Sequence, residues 1–219
     1  MINSSRKRVT ITMIKYTRKP KKWIWIFLAI TLLQGGISMS HAEKTELATF
    51  AGGCFWCMQP SFDQKKGVIQ TWVGYTGGNT KNPTYKDICT GKTGHAEAIE
   101  IKFNPKIVTY AELLDIFWKN IDPTTLNQQF ADQGTQYRTA IFYHSIEQKK
   151  QAEESKLKLE KSKKWDKPIV TEIAQSSTFY VAEDEHQKYY EKNVLHYQYY
   201  KVGSGRDAYL KRMWPTKKD

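Results

Sequence analysis

The chain has 219 residues, 40% of them hydrophobic and 13% aromatic, enough for one substantial core and too few for two generous domains. A charged fraction of 26% with only 13 Gly and 7 Pro excludes a disordered or collagen-like chain, and three cysteines, two of them three residues apart, exclude a disulfide-stapled mini-domain. The formal charge of +12 is concentrated at one end: eight of the 34 Lys and Arg and none of the 22 Asp and Glu precede residue 43, leaving 26 against 22, or +4, for the rest. With that balance, and without a finger, basic zipper or RNA-binding aromatic motif, no nucleic-acid partner is expected.

Residues 23–37 form an apolar run behind the basic stretch and lead to Ser40-His41-Ala42. A basic region, a short apolar core and small residues at the minus-three and minus-one positions are the layout of a signal peptide. Cleavage is expected after Ala42, giving a periplasmic or secreted product. The alternative, an uncleaved anchor, makes this leader the chain's membrane contact, and Met13 offers a second start. Residues 43–219 show neither a repeat nor a linker and read as one domain.

Within that domain, a strand is expected at residues 47–51, broken by Gly52-Gly53 before Cys54 opens a helix that Pro60 interrupts. Residues 68–75 are β-branched and aromatic and stop at Gly77-Gly78, while Ile99, Ile101 and Phe103 alternate with charged residues as in a strand with one wet face. Thr109 and Glu112 form a capping box ahead of a helix that buries Leu113, Ile116 and Phe117. Further strands are expected at 139–143 and 169–173. Between them Ser145 and Gln148 open a long helix whose Lys156, Lys158 and Lys161, interleaved with Glu153, Glu154 and Glu160, mark a solvated face. A last helix spans about 183–192. Alternating strands and helices give an α+β domain with a mixed sheet covered by helices.

The chemistry concentrates at Gly52-Gly53-Cys54-Phe55-Trp56-Cys57. A cysteine at a helix start meets unpaired backbone N–H groups and the positive end of the dipole, which favour its thiolate. Cys57 can close a disulfide on Cys54. From these residues alone, an inert buried pair and a thiol-disulfide exchanger remain alternatives, although exchangers usually carry Gly or Pro rather than Phe-Trp between the cysteines. No metal is expected: there is a single C-x-x-C, His95, His144, His186 and His196 lack ligand spacing, and Glu183-x-x-His186 occurs once. Taken alone, Glu97 reads as a solvated glutamate at a strand edge.

Five blocks, Gly53-Cys54-Phe55-Trp56-Cys57-Met58, Val73-Gly74-Tyr75-Thr76-Gly77-Gly78, Asn82-Pro83-Thr84-Tyr85, Gly94-His95-Ala96-Glu97-Ala98 and Asp132-Gln133-Gly134-Thr135-Gln136-Tyr137-Arg138, closely resemble the type A peptide methionine sulfoxide reductases. The match runs in order from about Ala48 to His186-Gln187. The resemblance implies a two-layer α/β sandwich whose mixed sheet has a ferredoxin-like core, and a reaction without a bound cofactor: reduction of the S epimer of methionine sulfoxide, free and in proteins. It implies that Cys54 is the attacking thiolate and becomes a sulfenic acid. Glu97 is then the proton donor, with its pKa raised against Phe and Trp. Tyr85 and Tyr137 hold the sulfoxide oxygen, Phe55 and Trp56 seat the S-methyl group, and Asp132 orders water or the substrate backbone. Cys57 is implied as the resolving cysteine, forming a disulfide that a thioredoxin-like dithiol reopens; Cys89 reads as structural, with a resolving role as the alternative. Two departures, Gln129-Phe130-Ala131 for the usual Gln-Gly-Asn and Gln133 for the common His, border the substrate rim and are expected to affect rate and peptide preference rather than reaction class.

Overall fold

Ala48 and Phe50 turn to one side of the first strand and Thr49 and Ala51 to the other, and all four are buried, so this strand lies inside a sheet with both faces covered. The computed structural model describes residues 44–215, and the signal-peptide reading of residues 1–42 lies outside them. The elements are β1 (Glu46–Gly52), α1 (Phe55–Asp63), β2 (Val68–Thr76), α2 (Tyr85–Cys89), β3 (Ala96–Phe103), α3 (Tyr110–Trp118), β4 (Gln128–Gln129), β5 (Asp132–Gln133), β6 (Thr139–Tyr143), α4 (Ile146–Lys161), β7 (Glu172–Gln175), β8 (Tyr180–Val181), α5 (Tyr189–Lys192), α6 (Val194–Gly203) and α7 (Arg206–Met213).

The six-stranded sheet has the order β7-β6-β1-β3-β2-β8. Its pairs are antiparallel except β6 with β7, so the sheet is mixed. The run β1-α1-β2-β3-α3-β6 places its fourth strand beside its first, then its third and second. This is the β-α-β-β-α-β arrangement of a ferredoxin-like core. On one face Phe50 stacks on Phe62 and Phe117 at 5.6 and 5.1 Å, and Met58, Leu113 and Ala152 bring α1, α3 and α4 onto Ile99, Ile101 and Ile141. The other face is a thin layer of Ala51, Ala96, Ala98 and Ala140 around Phe142. No helix of the described residues is long and apolar enough to cross a membrane.

The capping box at α3 is formed: Thr109 Oγ1 accepts from Glu112 N at 3.2 Å and Glu112 Oε2 from Thr109 N at 2.9 Å. At α4, Ser145 caps Gln148 N, but Gln148 reaches back to His144 N rather than to Ser145. Three expectations need correction. Helix α1 runs through Pro60 to Asp63; a proline six residues into a helix removes one donor, to the Trp56 carbonyl, and packing of Met58 and Phe62 carries the helix past it. The strand expected at 169–173 begins at Glu172, because Ile169 is buried in the main core and Val170 N donates to Pro123 O at 2.9 Å. The helix expected at 183–192 is a series of turns with only Tyr189–Lys192 helical. There Gln187 inserts between Val73 N, Val73 O and Ala182 O at 2.9 to 3.0 Å, and Lys188 adopts a left-handed φ of 51°.

Candidate active site

The end of β1 delivers the cysteines. Gly53 has φ +78°, and a Cβ there would stand 2.5 Å from Gln129 Cβ, so only glycine makes the bend from strand into α1. Cys54 becomes the N-cap and Cys57 the third helical residue, its N–H donating to Cys54 O at 3.1 Å. Both thiols are free and nearly enclosed, 5% and 4% exposed.

Glu97 lies on β3 opposite Tyr75. The alternation that points Ile99 and Ile101 at the helices points Glu97 the same way, and it is 2% exposed. The solvated-edge reading of this residue is therefore wrong. Its Oε2 accepts from Phe55 N at 3.1 Å. Burial pushes its pKa up to about 8, Asp132 and Cys57 adding to the rise against the Phe55 N–H, so it is a neutral acid near pH 7.

Burial also pushes the Cys54 thiol well above its ordinary value, reinforced by Cys57 and Glu97 and opposed by Tyr200. The thiolate expected from the helix start is thus not the resting state: desolvation of a charged sulfur outweighs a dipole end worth about half a charge. Cys57 moves the other way, held down by the hydrogen bond from Cys54 and, against its own burial, by Arg206.

Cys54, Phe55, Trp56, Tyr85, Glu97, Asp132 and Tyr137 line one cavity of ≈ 80 Å³. Tyr200, which sequence reasoning missed, completes the wall and donates to Asp132 Oδ2 at 2.5 Å. Cys57 sits outside the lining, one helical turn behind Cys54, and Cys89 is exposed at the end of α2. Burial, with Glu97 beside them, raises the pKa of Tyr85 and Tyr137, so both hydroxyls remain donors at neutral pH.

Glu183 and His186 are bracing groups. Glu183 accepts from Tyr75 Oη and Tyr85 N, both at 2.8 Å. His186 Nδ1 accepts from Trp56 Nε1 at 3.2 Å, and Tyr189 stacks on the same indole at 3.9 Å. Among the described residues no group of three His, Cys, Asp or Glu is placed to hold a metal ion. The density of tyrosines at 189, 190, 197, 199 and 200 is the signal that could have drawn the tail into the site. A thiol, a neutral acid and several hydroxyls thus face one small aromatic-walled space, suited to delivering protons and an electron pair to a polar atom carried on an apolar group.

A family model for peptide methionine sulfoxide reductase matches residues 46–218. The chain is 53% identical over 176 residues to peptide methionine sulfoxide reductase MsrA of Bacillus pumilus, covering 80% of this chain and 99% of that one. Against the Bacillus subtilis protein of the same name it is 51% identical over 176 residues, with coverage of 80% and 99%. Among solved structures it resembles Mxr1 from Saccharomyces cerevisiae in reduced form (TM-score 0.64, 37% identity, 69% of this chain and 87% of that one). It also resembles methionine sulfoxide reductase A of Corynebacterium diphtheriae (TM-score 0.63, 37% identity, 69% and 76%).

Proposed function

The chain belongs to the peptide methionine sulfoxide reductase family, and from that premise we propose that it reduces the S epimer of methionine sulfoxide, free and in proteins, through a Cys54 sulfenic acid and a Cys54–Cys57 disulfide. The observation that carries this reading is the shared cavity in which the Cys54 thiol, the neutral Glu97 acid and the Tyr85 and Tyr137 hydroxyls converge between Phe55 and Trp56.

The S-methyl group sits against Phe55 and Trp56, whose edges suit a polarisable sulfur. The sulfoxide oxygen accepts from Tyr85, Tyr137 and the Glu97 proton, which makes the sulfur electrophilic. Cys54 Sγ attacks that sulfur, and the sulfur–oxygen bond breaks as oxygen passes to Cys54. Methionine sulfur gains two electrons, Cys54 loses two and becomes a sulfenic acid, and the thiol's proton ends on the sulfenic oxygen. Cys57 then attacks Cys54, the remaining sulfur–oxygen bond breaks, and oxygen leaves as water. The sum is sulfoxide and two thiols to thioether, disulfide and water. An external dithiol of thioredoxin type reopens the disulfide by exchange. Both resting groups are neutral because the space is desolvated, and the sulfoxide group brings no net charge of its own.

The leader's layout supports export, so the reductant belongs to a supply line outside the cytoplasm. The test is an epimer-resolved assay with dithiothreitol and with thioredoxin. Turnover of the S epimer alone, abolished by Cys54→Ser, is the expected result. Consumption of the R epimer, or insulin reduction with the sulfoxide untouched, contradicts the assignment.

A further inference from the structure

Resting on the reductase reading, we propose that Arg206 is a positioning residue for disulfide formation: its buried guanidinium, locked against both ends of the C-x-x-C turn, keeps the pair's negative charge on Cys57, the sulfur that must attack second. Arg206 opens α7, is 2% exposed and takes part in none of the ion pairs among the described residues. It donates from Nη2 to Gly52 O at 2.9 Å, and from Nη1 to Asn120 O at 2.6 Å and Met58 Sδ at 3.7 Å. Gly52 lies two residues before Cys54 and Met58 directly follows Cys57. The absence of a side chain at Gly53 makes room, since a Cβ there would stand 3.1 Å from Nη2.

Every direct partner of this cation is neutral. Removing a guanidinium from water is costly by several kcal/mol even after relaxation, and two carbonyls and a thioether offset that only in part. Phe130 deepens the burial, its ring 4.6 Å over the guanidinium. It does so from a left-handed backbone, φ 56°, which a bulky residue adopts only under constraint. An anion forming beside this cation recovers what the desolvation lost.

Cys57 is influenced by Cys54, Arg206, Asp132 and Lys201, and in turn acts on Glu97 and Tyr197. Glu97 and Cys54 are neutral at rest, and an Asp132 charge disfavours a second anion. Lys201 is one-third exposed and paired with Asp207 at 3.2 Å, which leaves Arg206 as the enclosed cation. In the step it serves, the Cys57 thiolate places its electron pair on Cys54 Sγ, the sulfur–sulfur bond forms, the sulfur–oxygen bond breaks, and oxygen takes the Glu97 proton and departs as water. Cys57 lies outside the cavity lining, so its charge does not compete with Cys54 for the sulfoxide.

Two readouts on the full protein test this, with Arg206→Gln and the charge-preserving Arg206→Lys. In carbon-13 cysteine NMR of the reduced protein, which needs no substrate, R206Q should raise the Cys57 titration midpoint by about one unit, a tenfold change in thiolate fraction, and R206K should restore most of it. In single turnover with a methionine sulfoxide peptide, R206Q should lower the ratio of disulfide formation to methionine release about tenfold at pH 7, a deficit that closes as pH rises. A Cys57 midpoint unmoved in R206Q, or R206K as impaired as R206Q, overturns the proposal whatever the turnover. A wild-type protein that releases no methionine overturns the reductase reading instead, and the NMR titration still decides on Arg206.

Discussion

Phe55 N donates to Glu97 Oε2 at 3.1 Å, which ties the acid on β3 to the first turn of the helix whose N-cap is Cys54. Nucleophile and proton donor are thereby fixed to one backbone unit. Any shift of that turn moves both together, and the acid keeps a single partner while burial holds its proton.

Attack needs the Cys54 sulfur as a thiolate while Glu97 holds a proton, so the pair reacts after shedding one of its two protons, when the thiol passes the remaining one to the ionised Glu97, from which it reaches the oxygen. Glu97 releases its proton at about 8 and Cys54 above its ordinary range. The rate of methionine release in single turnover should therefore climb with pH up to about 8 and fall once the second proton goes. Glu97→Gln should lower the plateau by roughly 10²- to 10⁴-fold, the usual worth of a general acid, and carry the rising limb to higher pH. A flat or descending wild-type profile between pH 6.5 and 8 contradicts this.

The same shift carries a stability signature. Glu97 rises from an ordinary 4.5 to about 8 on folding, so the unfolded chain releases this proton first and the fold loses stability as pH climbs between those values. Glu97→Gln cannot ionise and escapes the loss. Relative to wild type it should gain on the order of a few kcal/mol between pH 5 and pH 8.5 in urea unfolding. A gap between the two proteins that is the same at both pH values refutes the burial account of Glu97.

Gly53→Ala places a Cβ 2.5 Å from Gln129 at φ +78°. It should cost at least roughly 1–3 kcal/mol from the backbone alone and slow methionine release by displacing Cys54. Gly203→Ala, at the end of α6 with nothing within 4 Å, should leave the urea midpoint unchanged or slightly raised. Equal midpoints for the two variants remove the claim that the bend before Cys54 demands glycine.

Tyr200 reaches the cavity from α6 and donates to Asp132 Oδ2. Tyr200→Phe keeps the ring and deletes that donor, so methionine release should fall about tenfold, the net worth of a hydrogen bond to a charged group, with the fold intact by circular dichroism. An unchanged rate assigns Tyr200 to packing alone.

The site was legible where its residues are neighbours in the chain. Gly52, Gly53, Cys54 and Cys57 declare a turn and a reactive pair by spacing alone. Glu97 was recoverable from alternation, since it shares parity with Ile99 and Ile101, yet read alone it went to the wet face. The neutral Cys54 was hidden because burial, unlike a helix start, has no local sequence mark. Tyr200 was marked only by the tyrosine-rich stretch around it, and Arg206 was beyond local reading altogether: it meets Met58 across 148 residues, a relation only tertiary packing creates. The strand at 169–173 and the helix at 183–192 slipped for the same reason, with Val170 and Gln187 spending their hydrogen bonds on distant loops and strands. The α+β class came through because it depends on element order rather than on exact ends, while the ferredoxin-like core was an expectation of the family resemblance and not of the local pattern.

The most direct measurement reacts the reduced protein with one equivalent of a methionine S-sulfoxide peptide in the absence of any reductant, then maps its cysteines by mass spectrometry. One methionine per chain, with two hydrogens lost from a peptide joining Cys54 to Cys57 and Cys89 left free, is the predicted result. Methionine formed with Cys57 still reduced and Cys54 bound to Cys89, or no methionine at all, contradicts it.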